Sequence, residues 1–271
     1  MKALPPRRSL DSMAVSGTHE TTLDEGPVDL RTYFVRSRRV SLSLVYVAAL
    51  FVTYEIAYRC VDPGVQNAAA HVFDRIFWML GPEAIWLNAF LGLVFAYAVV
   101  RVIRDRQPVG RLFVPFLVEC VLLALLLGPI VNMLTGTFAL QTETVPPHGG
   151  QVSLVSSILA SLGAGIYEEL LFRAGILGGI YVALKRILRA RRGQRAVAFS
   201  VALILSALAF AAYHHIGPGG EPFDRRAFTF RALAGILLGL VFACRGLGVV
   251  VYLHAMYDVL YDLRVAAWSW D

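Results

Sequence analysis

Charge is scarce in this sequence. Only 16% of its 271 residues are Asp, Glu, Lys or Arg, where a soluble globular protein has about a quarter. With 57% hydrophobic residues and a mean hydropathy of +0.63, that shortage excludes an ordinary water-soluble domain and points to a membrane protein. Cysteine is scarcer still. Cys60, Cys120 and Cys244 are far apart and lack any CxxC or Cys/His spacing, so neither a zinc site nor a disulfide framework is encoded. They are expected as buried small hydrophobes. No HExxH occurs, so nothing demands zinc. No apolar core precedes residue 40, and no cleavable signal peptide is expected near the start. Internal repeats and low-complexity tracts are absent too.

The formal net charge of +6 would suit nucleic acid if the basic residues formed one patch with interleaved aromatics. They cluster between apolar windows instead, which is how membrane topology is encoded. The expected partner is therefore the lipid bilayer, not nucleic acid. A span needs about 20 mostly apolar residues. Windows of that kind are expected at about 41–58, 84–103, 112–134, 152–184, 196–215, 228–244 and 247–265. Between the first two, "AAAHVFDRIFWMLGP" carries Phe73, Ile76, Phe77 and Leu80 at helical spacing, as in an amphipathic helix at the interface. The predicted fold class is all-α: a polytopic transmembrane helix bundle of about seven spans plus that interfacial helix. Residues 1–38 are assigned to a polar cytoplasmic tail and 39–271 to one integral membrane domain. With the N-terminus inside, most of the 25 basic residues fall in inner segments, as the positive-inside rule requires. "TETVPPHGGQ" and "GPGGEPFDRR" are expected as ordered outer loops, being rich in Pro and Gly.

Into this apolar background the chain sets a few charges. Each ionised group at mid-span costs about 2.5–3.5 kcal/mol on insertion scales, so such residues face the bundle interior and mark function. In "YEELLFR", Glu169 and Arg173 stand one turn apart on one face and can neutralise each other. Glu168 is rotated by about 100° and needs a partner on another helix. His214 and His215 end the fifth window; His254, Asp258 and Asp262 recur every four residues in the seventh. A glutamate with histidines from other helices suits general acid–base chemistry, the carboxylate acting towards a water and an imidazole relaying the proton. The blander roles are equally definite. His215 caps a span end, Asp262 is solvated near the chain's end, and Glu55–Arg59 is a snorkelling surface pair. Glu119 is a lone carboxylate, protonated and hydrogen-bonded.

These residues resemble a known family. "EELLFR" matches the EExxxR motif of the CAAX-protease and bacteriocin-processing (Abi) intramembrane proteases. "FAAYH", Phe210 to His214, matches the second motif, FxxxH, and "HAMYD", His254 to Asp258, the third, HxxxN/D. The motifs lie within 150–262. The resemblance implies that Glu168 activates water with help from His214, that Glu169 and Arg173 orient it, and that His254 and Asp258 stabilise the oxyanion. It implies a glutamate-dependent hydrolase with no cofactor; zinc is possible on residue types alone but disfavoured. The implied partner is a membrane-anchored protein or peptide substrate. An Arg-rich, Lys-poor composition suits a high-GC bacterium, hence the inner membrane and a precursor with a C-terminal anchor or sorting signal rather than a prenylated protein. Competing functions are a non-catalytic immunity or scaffold protein of the same fold and a proton or ion transporter, which would usually show two halves with broken helices. One geometric tension stands: His254 lies only nine residues from the inner Arg245, about half as deep as Glu168 and His214.

Overall fold

The computed structural model describes residues 29–60, 84–136, 153–188, 191–216 and 220–268, apart from the side chains of 84–91, 192 and 265–268. In chain order the helices are α1 (Leu30–Ser37), α2 (Val40–Cys60), α3 (Ala84–Arg104) and α4 (Val109–Thr135). Next comes α5 (Leu154–Glu168), which runs through a π-helical segment, Glu169–Leu177, into α6 (Gly178–Ile187). Then follow α7 (Arg192–Tyr213), α8 (Arg225–Arg245) and α9 (Leu247–Trp268). No strand occurs among the described residues.

Five helices are long and apolar enough to cross a membrane: Val40–Cys60, Val109–Thr135, the continuous Leu154–Ile187, Gly193–Tyr213 and Arg225–Arg245. α3 and α9 coincide with the second and seventh expected spans but are not among these five, so the count of seven is not established. α9 carries Asp258, Asp262 and Arg264. The expected interfacial helix lies outside the described residues. Residues 30–37, assigned to the polar tail, form α1 instead, capped by Asp29 and tied to the bundle through buried Tyr33 and Ser37.

The bundle is organised around α9. From Val249 to Ala255 every residue is buried, and a helix buried all round is a central one. One side of it joins Tyr46, Val47, Leu112, Phe116 and Ile166 in a core of α2, α4 and α5. Another side, through Val250 and Leu253, meets Leu127, Val131, Ala234 and Leu238 of α4 and α8. Large apolar side chains point outward elsewhere, such as Val114, Val118 and Leu125 on α4. Such faces are costly in water and suited to lipid. α8 turns into α9 through the single residue Gly246, whose φ of 88° lies in the left-handed region that other residues avoid.

Two polar clusters depart from expectation. Glu119 is not a lone carboxylate: it accepts from Arg245 Nε at 2.5 Å and Nη2 at 2.7 Å, and from the Tyr33 hydroxyl. Burial, reinforced by the bond to Glu119, pushes the Tyr33 phenol up. Arg245 also donates to Ser37 Oγ (2.7 Å) and the Phe34 carbonyl (3.2 Å). Asp262 is not simply solvated, since it accepts from Ser161 Oγ at 2.6 Å. Of the cysteines only Cys120 is buried; Cys60 and Cys244 are exposed on their helices.

Candidate active site

The continuous helix Leu154–Ile187 has 34 residues, about 50 Å at 1.5 Å per residue, against a hydrocarbon core of about 30 Å. It must tilt or project, so residue counts from its basic end do not give depth. The tension over His254 dissolves accordingly: the structure brings Glu168, His214 and His254 together from three helices.

Glu168 ends α5 and is 4% exposed. Its Oε2 lies 4.0 Å from His214 Nε2 and 3.9 Å from His254 Nε2. Those separations exceed a direct hydrogen bond but are what one bridging water spans. Each imidazole is held by its other nitrogen. His214 Nδ1 lies 2.9 Å from the Phe210 carbonyl, which can only accept, so the hydrogen sits on Nδ1 and the Nε2 lone pair faces Glu168. His254 Nδ1 is 2.6 Å from Glu169 Oε1, and its Nε2 is 3.4 Å from Asp258 Oδ2. Three carboxylates thus surround one imidazole.

Glu169 and Arg173 pair as their spacing predicts, at 2.7 Å and almost wholly buried. They do not merely neutralise each other, because the same Glu169 oxygen fixes His254. The guanidinium lies over the Phe210 ring, 4.5 Å from its centroid, a cation–π contact. Phe210 also meets His214 (5.0 Å), Phe172 (5.3 Å) and His254 (6.0 Å) edge-on. The first residue of FxxxH is therefore the post around which the other motif residues are arranged.

The π-helical segment carrying Glu169 and Arg173 belongs to a class of helical irregularity frequent at functional sites. Widening the turn frees backbone carbonyls, and in a membrane these must be satisfied by neighbours. Ser206 of α7, buried, donates to the Phe172 carbonyl at 2.6 Å. Sequence reasoning missed Ser206; a lone serine in an apolar span was the available signal. His215 lies outside the cluster, its Nδ1 3.2 Å from the Glu221 carbonyl and its ring against Phe223 and Phe228. Glu55 is paired with Arg59 at 3.4 Å and also accepts from Tyr167 Oη at 3.1 Å.

Among the described residues no group of three or more His, Cys, Asp or Glu is arranged to hold a metal ion.

Residues 150–260, which contain all three motifs, match the family described as Type II CAAX prenyl endopeptidase Rce1-like. No curated protein and no solved structure matches the chain. The likeness to the Rce1-like, type II CAAX prenyl endopeptidase family, of the CAAX-protease and bacteriocin-processing group, covers residues 150–260 of this chain.

Proposed function

We propose that this chain is an intramembrane endopeptidase in which Glu168, assisted by His214, activates water to hydrolyse a peptide bond of a membrane-associated substrate. The observation that carries this proposal is the approach of two imidazole Nε2 atoms to one buried carboxylate, at 3.9 and 4.0 Å, each Nδ1 being held by another partner. A water about 2.8 Å from Glu168 Oε2 and His214 Nε2 donates one hydrogen to each, with an angle near 90°, and keeps a lone pair for the carbonyl carbon. As the C–O bond forms, Glu168 takes the water's proton. When the C–N bond breaks, that proton passes to the leaving amine, giving an amine and a carboxylic acid, whose remaining hydrogen is lost to His214 Nε2 or to water as it ionises. Glu169 and Arg173 act through His254, whose ring they fix.

The substrate we infer is a precursor with a C-terminal anchor or sorting signal, in a bacterial inner membrane with the N-terminus cytoplasmic. The name of the matched family refers to prenylated proteins, so both classes enter the test. The full chain is reconstituted in vesicles with two quenched-fluorescent peptides, one with a farnesylated C-terminal CAAX sequence and one with a C-terminal apolar anchor. Glu168→Gln keeps shape and removes the base; cleavage of the accepted peptide should fall by about 10²–10⁴-fold with no loss of expression. Native-like cleavage by this variant would sink the assignment. Cleavage should also survive a chelator, with substoichiometric zinc in the purified protein. Activity lost to chelation and restored by zinc would turn Glu168, His214 and His254 into ligands.

A further inference from the structure

Hydrolysis at Glu168 requires a donor for the carbonyl oxygen as it gains charge. His254 Nε2 is one candidate, and an oxyanion takes more than one donor. His254 Nδ1 is committed to Glu169, and its Nε2 faces Asp258 at 3.4 Å. Asp258, a carboxylate, adds no donor of its own when ionised, so a second donor is wanted beside His254.

Buried donors without an acceptor are few among the described residues: Tyr58 Oη, Tyr213 Oη, Arg173 Nη2 and Arg231 Nη1, besides the ring nitrogen His215 Nε2. Tyr58 stacks on Tyr54 in α2, whose ring meets Tyr167 of α5. Arg173 is 1% exposed and covered by Phe210. His215 is held between Phe223 and Phe228. Arg231 is clamped by Glu221 at 2.8 Å. Tyr213 is different. It directly precedes His214, and its ring packs 5.5 Å from Phe172, one turn beyond Glu168, and 5.8 Å from the His214 ring. A hydroxyl, buried and without a partner, is thus carried on a ring packed between Phe172 and one of the two histidines that face Glu168.

We propose that the Tyr213 hydroxyl receives the scissile carbonyl oxygen and donates a hydrogen bond to it in the tetrahedral intermediate. The assignment rests on the hydrolase function proposed above. As the water oxygen bonds to the carbonyl carbon, the C=O π pair moves onto oxygen and Tyr213 O–H donates to it without giving up its proton. On collapse the pair returns, the C–N bond breaks, and the proton held by Glu168 leaves with the amine.

The test uses the reconstituted full chain, whichever of the two peptides it cleaves, and a peptide aldehyde of the same sequence whose hydrate mimics the tetrahedral adduct. Tyr213→Phe deletes one unpartnered hydroxyl and should melt like the native chain. Its kcat should fall by about 10²–10³-fold, as for loss of an oxyanion donor, with KM changed less than about twofold. Affinity for the aldehyde should fall by a similar factor. A kcat within about threefold of native, a loss confined to KM, or unchanged aldehyde affinity would overturn the role of Tyr213. Glu168→Gln run in parallel separates the two claims. If it is inert while Tyr213→Phe is active, only the Tyr213 assignment falls; if it cleaves normally, the hydrolase proposal falls as well.

Discussion

At the scale of single residues, the Glu169–Arg173 pair shows how a structural contact and a site contact share one atom. Glu169 Oε1 meets both Arg173 at 2.7 Å and His254 Nδ1 at 2.6 Å. Removing either charge strands the other where water is excluded, at a cost of about 3–5 kcal/mol. Glu169→Leu and Arg173→Leu should each lower the melting temperature sharply in thermal unfolding. The double variant should recover much of that loss yet stay inactive, because His254 has lost its anchor; native-like melting of either single variant would refute the pairing. This pair was legible in the sequence because both members lie on one turn. So was the order of the three motifs. The Glu119–Arg245 pair was not, since its members are 126 residues apart and no periodicity marks either. The second role of Glu169 was hidden for the same reason: its partner arrives from another helix.

At the scale of elements, the site depends on how closely α5 and α9 approach. A Cβ built on Gly165 would lie 2.6 Å from the Ala255 backbone nitrogen and 2.6 Å from its Cβ. Small residues let membrane helices pack this tightly. Ala255 follows His254, so forcing the helices apart moves the imidazole off Glu168. Gly239 is the natural control: its Cβ would come to 2.3 Å of Leu203 Cδ1, the movable end of a side chain. Gly165→Ala should destabilise by about 1–3 kcal/mol and reduce kcat, while Gly239→Ala should cost less and leave kcat nearly intact. Melting curves and initial rates on the reconstituted variants check both, and equal effects would contradict the packing. Helix positions were largely readable from apolar periodicity; observed and expected ends differ by a few residues. The π-helical widening was not readable, because one extra residue in a turn leaves hydropathy unchanged.

At the scale of the whole molecule, Arg245 joins parts of the chain that local pattern keeps separate. Its guanidinium links the end of α8 to Glu119 in α4 and to Ser37 and Phe34 in α1, with the Phe34 ring 4.5 Å away. Arg245→Met should cost about 3 kcal/mol or more by stranding Glu119 and should free α1. Limited proteolysis would then cut at Arg31, Arg36 or Arg38 in the variant and spare them in the native chain; equal protection would show that α1 is held by other contacts. The sequence marked Arg245 only as a topological charge, because what it binds is assembled by the fold. The central place of α9 has a consequence for biosynthesis. This helix follows the others in the chain, and Asp258, Asp262 and Arg264 make it a poor candidate for entering lipid alone. A ribosome-bound chain that has delivered α1 to α8 already holds Glu168 and His214 but not His254, so the three cannot come together until the helix that carries the last of them is enclosed by those made before it.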